Sequence, residues 1–246
     1  MITSKQNALV KQIRSLHNKK YRDELGLYVV EGLKMVKEAL CLCSNVKTIV
    51  CTQNAFNLLG ETSAQVQVVS DQVFDYITGE KSPQGIIAVI TKPQTDVVAP
   101  TGSAVFLDGV ADPGNLGTVI RTMACVGIKD LYLTTDGADA FSPKTVRSSM
   151  SGIFHVNVHV GQREQILDAI NLPLIVADMG GQNVFEIKQD GDFCLVIGNE
   201  AHGVSQQVKA KADKVVSIPM KSGMESLNAG VSAGILMYVI NNGIKN

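Results

Sequence analysis

Hydrophobic residues occur in short runs along the chain, separated by amphipathic segments, which is the pattern of an α/β protein. Residues 7–25 form a basic segment with Leu9, Val10, Ile13 and Leu16 on one face, and this spacing predicts an amphipathic helix. Strands are predicted at 27–31, 46–51, 66–70 and 85–91, and helices at 33–43 and 71–78. Residues 1–92 are therefore predicted to form a small three-layer α/β domain.

The apolar runs become longer and nearly continuous after residue 102. Strands are predicted at 104–107, 130–134, 174–177, 193–197 and 215–218, and helices at 116–126, 144–153, 164–171, 205–212 and 226–240. Strands that are apolar on both faces and alternate with helices indicate a parallel sheet covered on both sides. Residues 103–246 are thus predicted to be a second α/β domain. The proline- and glycine-containing segment 93–102 is predicted to be the linker.

Composition places the chain among globular proteins. Of its 246 residues, 45% are hydrophobic and 18% are charged. The sequence has no apolar run of membrane-spanning length and no signal-peptide pattern at its start, so a cytoplasmic location is predicted. Its five cysteines include no Cys-x-x-Cys pair, and most lie in apolar runs, which predicts buried, reduced thiols.

Charge is distributed unevenly although the net charge is only −1. Residues 1–37 contain eight Lys and Arg against three acids, a net charge of +5, and the remainder therefore carries −6. A basic N-terminal segment on an acidic body fits a surface that faces phosphates. A solvated helix face explains the same charges equally well.

Three strand-to-helix junctions carry unusual groups of polar residues. The first contains Asp112-Pro113-Gly114-Asn115, then Gly117 and Arg121; the second is Ile197-Gly198-Asn199-Glu200 with Gly203; the third joins Ile218-Pro219-Met220 to Ser226-Leu227-Asn228. Backbone N–H groups at the start of a helix are available to a ligand. Each junction alone is explained by ordinary helix capping, but their ordered recurrence favours a ligand-binding site.

In order and character these junctions resemble the three motifs of the SpoU/TrmH family, RNA ribose 2′-O-methyltransferases of the SPOUT class. The resemblance implies S-adenosylmethionine as cofactor, a homodimer whose paired domains complete the site, and a trefoil knot in the last third of the chain. The N-terminal residues are similar to the family's substrate-binding domain, which resembles ribosomal proteins that grip kinked RNA helices. The implied fold class is a small α/β RNA-binding domain followed by a parallel-sheet SPOUT domain.

The resemblance also assigns candidate site residues. The catalytic candidates are Asn115, Arg121, Glu200, Ser226 and Asn228. The cofactor-binding candidates are Ile197, Gly198, Ile218, Met220, Ser226 and Leu227. From the residues themselves, Gly198 is expected to allow close approach of a bound molecule. Glu200 could equally be a carboxylate that stabilises a helix N-terminus.

Arg121 corresponds to the family arginine that activates the ribose 2′-hydroxyl. A guanidinium normally stays protonated at neutral pH and is a poor general base. Either it loses its proton in a dry pocket, or it remains cationic and stabilises the developing alkoxide and a nearby phosphate. The second role is favoured.

Basic side chains provide the candidate RNA contacts. They are Lys11, Arg14, Lys19, Lys20, Arg22, Lys144 and Arg147. Lys144 and Arg147 are three residues apart and share a helix face, which fits a phosphate contact or a solvated surface.

Other classes of site are disfavoured by the sequence. Neither a Gly-x-Gly-x-x-Gly fingerprint after the first strand nor a P-loop is found, and the four histidines show no zinc pattern, so no metal is predicted. His155 and His159 are interpreted as strand residues. The favoured function is 2′-O-methylation of large-subunit ribosomal RNA. The alternatives are transfer RNA as substrate, a resistance-conferring methylation, a base methyltransferase of the same clan, and a non-catalytic RNA-binding assembly factor.

Overall fold

A computed structural model describes residues 1–43, 45–221 and 226–241. The middle of the third motif, residues 222–225, lies outside the described residues. The chain divides into two compact units. One comprises Met1–Pro93 with Phe141–Phe154, and the other comprises Gln94–Ala140 with His155–Asn246.

The first unit contains a four-stranded mixed sheet flanked by helices. Its elements are α1 (Ala8–Ser15), α2 (Lys19–Leu25), β1 (Leu27–Glu31), α3 (Leu33–Leu42), β2 (Val46–Cys51), α4 (Gln53–Leu59), β3 (Val66–Val68), α5 (Asp71–Ile77) and β4 (Ile86–Thr91). The strand order is β1-β4-β2-β3, with β4 antiparallel to both neighbours and β2 parallel to β3. The apolar face of α1 packs with α5 and the sheet, and Val10, Ile13 and Phe74 lie in this core.

The second unit is built on a six-stranded, wholly parallel sheet. The remaining elements of the chain are β5 (Ala104–Asp108), α6 (Pro113–Val126), β6 (Asp130–Thr134), α7 (Pro143–Ser149), β7 (Asn157–Gly161), α8 (Arg163–Ala169), β8 (Leu174–Asn183), β9 (Cys194–Gly198), α9 (Gln206–Lys209), β10 (Lys214–Ser217) and α10 (Ala229–Ile240). The strand order is β10-β8-β9-β5-β6-β7. The central strands β5 and β6 are buried along their whole length, as parallel strands covered on both faces must be.

One segment of the predicted domain 103–246 packs elsewhere. Phe141–Phe154, which contains α7 and a 3₁₀ helix (Met150–Phe154), belongs to the first unit. Within that unit the ring of Phe141 packs against Tyr28 of β1, with 5.1 Å between ring centroids. The predicted helix 144–153 is thus a short α-helix followed by the 3₁₀ helix.

The single helix predicted for residues 7–25 is wrong, because the chain forms two helices there. Asn18 starts the second one, since its side-chain oxygen accepts a hydrogen bond from Lys20 N at 2.9 Å. The helix α4 was not predicted. The cysteine prediction is only partly correct: all five thiols are free, but only Cys51 and Cys194 are buried. Cys41 and Cys125 are exposed and Cys43 is half-buried, because these three lie on or beside the solvent-facing sides of their helices.

Most of the predicted linker lies against the second unit. Backbone carbonyls of Thr95, Asp96 and Val98 accept hydrogen bonds from Val160 N (2.8 Å), from the His159 ring (2.6 Å) and from the Tyr132 hydroxyl (2.7 Å). Thr101 donates through both its backbone N–H and its hydroxyl to Asp130. Residues 95–101 are therefore held along their length and are not a free tether.

The helices of the described residues include none that is both long enough and apolar enough to cross a membrane.

Candidate active site

The three motifs meet at the carboxyl end of the parallel sheet. The first follows β5 and opens α6, and the second follows β9, the neighbour of β5 in the sheet. The third lies between the end of β10 and the start of α10. Ligands bind at this edge in open parallel α/β sheets because the loops there carry free polar groups.

Three candidate catalytic residues form one continuous hydrogen-bonded chain. The Glu200 carboxylate accepts from Asn115 Nδ2 at 2.8 Å, and Asn115 Oδ1 accepts from Asn228 Nδ2 at 2.8 Å. These residues come from three motifs that are far apart in sequence. The fold therefore brings Asn115, Glu200 and Asn228 together as the motifs predicted.

The direction of this amide chain is fixed at both ends. A carboxylate can only accept, so Asn115 must present its NH₂ group to Glu200 and its carbonyl oxygen to Asn228. At the other end, Asn228 Oδ1 accepts from Val231 N at 3.2 Å, which caps α10 and leaves Nδ2 to face Asn115. Neither asparagine can reverse its amide without losing a hydrogen bond.

Glu200 is a carboxylate that positions its neighbours. Besides Asn115 it accepts from the backbone N–H groups of Ala111 (3.2 Å) and Asp112 (3.4 Å). Burial alone would raise the pKa of Glu200, but these hydrogen bonds together hold the pKa below its ordinary value. The group is ionised at neutral pH and its oxygens are occupied, so its role is to hold the first motif in place and not to accept a proton.

Arg121 is not part of the amide chain. It lies on α6 and is exposed, and among the described residues it forms no hydrogen bond or ion pair. Six residues separate it from Asn115, which places the two side chains about 120° apart around the helix axis. Because no described residue occupies the Arg121 guanidinium, it is available to contact a bound molecule.

The third motif presents apolar side chains and backbone groups together. Ile218 is half-buried and Met220 and Leu227 are exposed, although large apolar side chains usually avoid water. Among the described residues, the backbone N–H groups of Met220 and Leu227 donate no hydrogen bond. Ser226 is exposed beside them. Exposed apolar side chains and backbone donors that have no partner among the described residues fit the adenine and ribose of a nucleoside cofactor.

Gly198 makes close contact with the protein's own backbone. A Cβ at this position would lie 2.2 Å from Gly203 C and Val204 N. Asn199 and Gly203 exchange two backbone hydrogen bonds of 3.1 and 2.8 Å, which closes the turn of the second motif. Gly198 therefore leaves room for this turn of the protein's own backbone, and the prediction that it also contacts a bound molecule stays a prediction. Ile197 is buried in β9.

An ionic cluster beside the site was not predicted. The guanidinium of Arg163 donates from Nε to Asp108 Oδ1 at 2.6 Å and from Nη2 to Asp136 Oδ2 at 3.0 Å. Asp108 also accepts from Ser205 N at 2.7 Å, so it joins the first and second motif loops. Asn199 adds a further tie by donating to Gly109 O at 2.8 Å. The sequence contained one signal for this cluster, because Asp108 and Asp136 each follow closely after a predicted strand.

The candidate RNA contacts divide into different environments in the first unit. Arg22 is only 3% exposed and donates to Leu16 O at 2.7 Å, which removes it from the surface. Lys19 pairs with Asp23 at 2.7 Å, Lys20 lies 3.8 Å from Glu24, and Arg147 pairs with Glu80. The exposed side chains of Lys11, Arg14 and Lys144 complete the set.

The described residues include no group of three or more His, Cys, Asp or Glu side chains placed to hold a metal. His159 lies in β7, as interpreted from the sequence, but His155 precedes that strand. His159 instead contacts Asp130 and the Asp96 carbonyl, away from the motif loops.

Sequence profiles of two known domains match the chain. The SpoU rRNA Methylase family matches residues 102–238, and an MRM3-like substrate binding domain matches residues 7–88. Relatives match along nearly the whole length. The 23S rRNA (guanosine(2553)-2′-O)-methyltransferase RlmP of Bacillus subtilis is 34% identical over 96% of this chain and 97% of its own.

Solved structures share the fold. An rRNA methyltransferase from Sinorhizobium meliloti with bound AdoMet is 30% identical, with a TM-score of 0.85 over 97% of this chain and 95% of its own. The SpoU methyltransferase AviRb of Streptomyces viridochromogenes, also with AdoMet, is 25% identical, with a TM-score of 0.87 over 96% and 98% of the two chains. The fold and site thus define an AdoMet-dependent RNA 2′-O-methyltransferase. The chain belongs to the SpoU rRNA methylase family.

Proposed function

We propose that this protein methylates a ribose 2′-hydroxyl in ribosomal RNA of the large subunit. The observation that carries the proposal is the amide chain Asn228–Asn115–Glu200, which joins the three motifs at the carboxyl end of the sheet. The relative of known specificity with 34% identity acts on 23S rRNA, and the MRM3-like match covers most of the first unit. The relative's substrate favours ribosomal over transfer RNA.

The third motif holds the cofactor in this proposal. Ile218, Met220 and Leu227 would contact the adenine, and free backbone N–H groups would supply its hydrogen bonds, with Ile197, Gly198 and Ser226 completing the pocket wall. S-adenosylmethionine supplies an activated methyl group. The protein's remaining task is to align the ribose oxygen with that methyl group in one line.

The polar residues of the site have different roles in this proposal. Asn115 and Asn228 are already oriented by Glu200 and by the cap of α10, so they align the site without reorganising during the reaction. Arg121 remains cationic and stabilises the negative charge that develops on the ribose 2′-oxygen, and the hydroxyl proton passes to water as the new O–CH₃ bond forms. Glu200 holds this arrangement and carries no proton itself.

The active form in this proposal is a homodimer. The helix α10 exposes apolar side chains along one face, with Val231 48% and Tyr238 46% exposed and Ile235 between them. Residues at these spacings lie on one side of a helix. Burying this face against a second copy would remove it from water and bring Arg121 near a completed site.

The connection through the last third of the chain is proposed to be a trefoil knot, as the family resemblance implies. The cytoplasmic location stays a prediction.

The test is transfer of labelled methyl groups from S-adenosylmethionine to unmodified ribosomal and transfer RNA in separate reactions, followed by alkaline hydrolysis. A 2′-O-methyl group blocks cleavage at its own phosphodiester, so label in alkali-resistant dinucleotides of 23S rRNA is the expected result. Label in mononucleotides would mean base methylation. Label in transfer RNA alone would change the substrate. Cofactor binding without any transfer to naked RNA would identify a precursor particle as substrate, and neither binding nor transfer would favour a non-catalytic assembly factor.

A further inference from the structure

Three cations at the start of the first unit have no acidic partner among the described residues. Lys5, Lys11 and Arg14 are exposed, and no carboxylate of the described residues lies within ion-pair distance of any of them. Exposed Asp71 and Asp75 on α5 form no ion pair with them. Lys11 and Arg14 are three residues apart on α1 and therefore share one face of that helix.

An aromatic ring holds two of these cations in position. Lys5 Nζ lies 5.3 Å and Arg14 Cζ 5.5 Å from the ring centroid of Tyr76 on α5, within the range of a cation–π contact. Tyr76 is 36% exposed. Arg14 Nη1 also lies 3.5 Å from Thr78 O. The ring orders both long side chains without neutralising their charge, so less side-chain entropy is lost when they bind an anion.

The next two lysines along the chain, in contrast, have acidic partners. Lys19 and Lys20 are paired with Asp23 and Glu24, one turn further along α2. A phosphate approaching them would have to compete with a carboxylate that is already in contact. Exposed ion pairs of this kind contribute little to stability, but they cancel the local field that attracts a polyanion.

We infer that Lys5, Lys11, Arg14 and Tyr76 form the surface by which this protein grips the phosphate backbone of its RNA, here called the Tyr76 strip. The inference rests on the proposed function. It separates the N-terminal cations that bind RNA from neighbours of equal charge that do not. Three of the four residues lie inside the segment that matches a substrate-binding domain.

The test compares two double variants of equal charge change in the full-length protein. Filter binding to an unmodified 23S rRNA transcript is measured over a range of salt concentrations with Lys11→Gln/Arg14→Gln and with Lys19→Gln/Lys20→Gln. The first is expected to weaken binding about tenfold and to reduce the slope of log K against log salt by about 1 to 2, because each phosphate contact contributes about 0.7 to 0.9. The second is expected to lose less than about threefold, with the slope unchanged.

Variants of Tyr76 provide an independent test. Tyr76→Leu removes the ring and is expected to weaken RNA binding about threefold, the loss of a modest cation–π contact. Tyr76→Phe keeps the ring and is expected to bind as the wild type does. Wild-type affinity in Tyr76→Leu would show that the ring does not organise the strip.

The strip is overturned if both double variants lose affinity equally, if the Lys19/Lys20 variant loses more, or if the wild type does not bind the transcript. Cofactor binding and methyl transfer by the wild type are measured separately. A wild type that binds RNA but neither binds S-adenosylmethionine nor transfers a methyl group would contradict the proposed function. The order of the two double variants would still decide the location of the RNA-binding surface.

Discussion

Both ends of the Asn115 side-chain amide form hydrogen bonds, and through them this residue links the first motif to the second and the third. Its Nδ2 donates to Glu200 and its Oδ1 accepts from Asn228, while its backbone N–H bonds to Asp112 at 2.9 Å. Asn115 is 9% exposed, so these bonds form largely out of water, where an unsatisfied polar group costs more than a bond gains.

Replacing Glu200 by Gln is expected to disturb this chain without removing volume. The oxygen of the new amide can still accept a hydrogen bond. Its NH₂ group must then face either the Asn115 NH₂ group or the backbone N–H groups of the first motif, and neither offers an acceptor. We expect kcat to fall about tenfold to a hundredfold, by analogy with the loss of one oriented polar group in an active site. Methyl-transfer kinetics check this, with calorimetric cofactor binding as the control. An unchanged kcat would exclude a positioning role for Glu200.

Arg121→Lys is expected to abolish most methyl transfer while cofactor binding remains. Lysine keeps the positive charge but loses the planar set of donors that can contact an alkoxide and a phosphate together. Single-turnover transfer and S-adenosylmethionine binding are measured on the same preparation. Full activity in the variant would show that a point charge suffices or that Arg121 is remote from the reaction.

Secondary-structure elements were predictable where burial makes the sequence distinctive. The strands β1, β2 and β6 were predicted with their observed ends because each contains at least three consecutive apolar residues. The helix α4 was missed because Phe56 and Leu58 face solvent, so its apolar residues do not mark one buried face. The predicted strand at 174–177 continues to Asn183, through polar and glycine residues whose place in the sheet depends on pairing with β10.

The site was predictable as a set of motifs but not as a set of contacts. Asn115, Glu200 and Asn228 were identified from their motifs, yet the direction of their hydrogen bonds depends on the Val231 amide and on two backbone donors beside Glu200. The Arg163 cluster draws on three separate segments, and the positions of Asp108 and Asp136 after predicted strands do not indicate that Arg163 joins them. Tertiary proximity of this kind has no signal in residue spacing.

The turn between β9 and α9 depends on the absence of a side chain at Gly198. Gly198→Ala would place a Cβ 2.2 Å from the backbone of Gly203, and backbone cannot move aside as a flexible side chain can. We expect a destabilisation of about 3 kcal/mol, the upper end for overpacking a tight site. Urea unfolding measures it, with Gly191→Ala as a comparison at a site where a Cβ would meet no atom within 4 Å but φ is +76°. A Gly198→Ala loss no greater than that of Gly191→Ala would contradict the steric account.

The segment 95–101 is held by a buried polar group whose strength depends on pH. The Asp130 carboxylate accepts from Thr101, Asn157 and His159. Burial tends to raise the pKa of Asp130, but these hydrogen bonds outweigh it and the pKa lies below its ordinary value. Because the folded pKa is the lower one, the stabilisation is complete above the unfolded pKa of about 3.9 and is lost as pH falls through the folded value.

Asp130→Asn is therefore expected to lower the free energy of unfolding by about 2 kcal/mol at pH 7, because the amide group leaves at least one of these buried donors without an acceptor. The difference from wild type should shrink as the pH falls below about 4. Denaturant unfolding at several pH values gives both quantities. A difference that stays constant down to pH 3 would mean that the carboxylate charge contributes nothing.

At the scale of the whole molecule, the exposed apolar face of α10 determines the proposed assembly. Tyr238→Glu places a charge at the C-terminal end of that face, and this charge would have to be desolvated in a dimer. We expect the variant to be monomeric by light scattering after gel filtration, to remain folded, and to lose most methyl transfer. Lys47→Gln, an exposed position of the first unit, serves as the control. A dimeric Tyr238→Glu protein would place the interface elsewhere.

The amide chain has a consequence for when the enzyme becomes competent. Asn115 and Glu200 are synthesised well before Asn228, and the cap that orients Asn228 requires the start of the last helix. A growing chain thus contains the first two motifs but no partner for Asn115 Oδ1. In the proposed mechanism, a nascent copy is therefore expected to be inactive until Asn228 and the first turn of α10 have been synthesised.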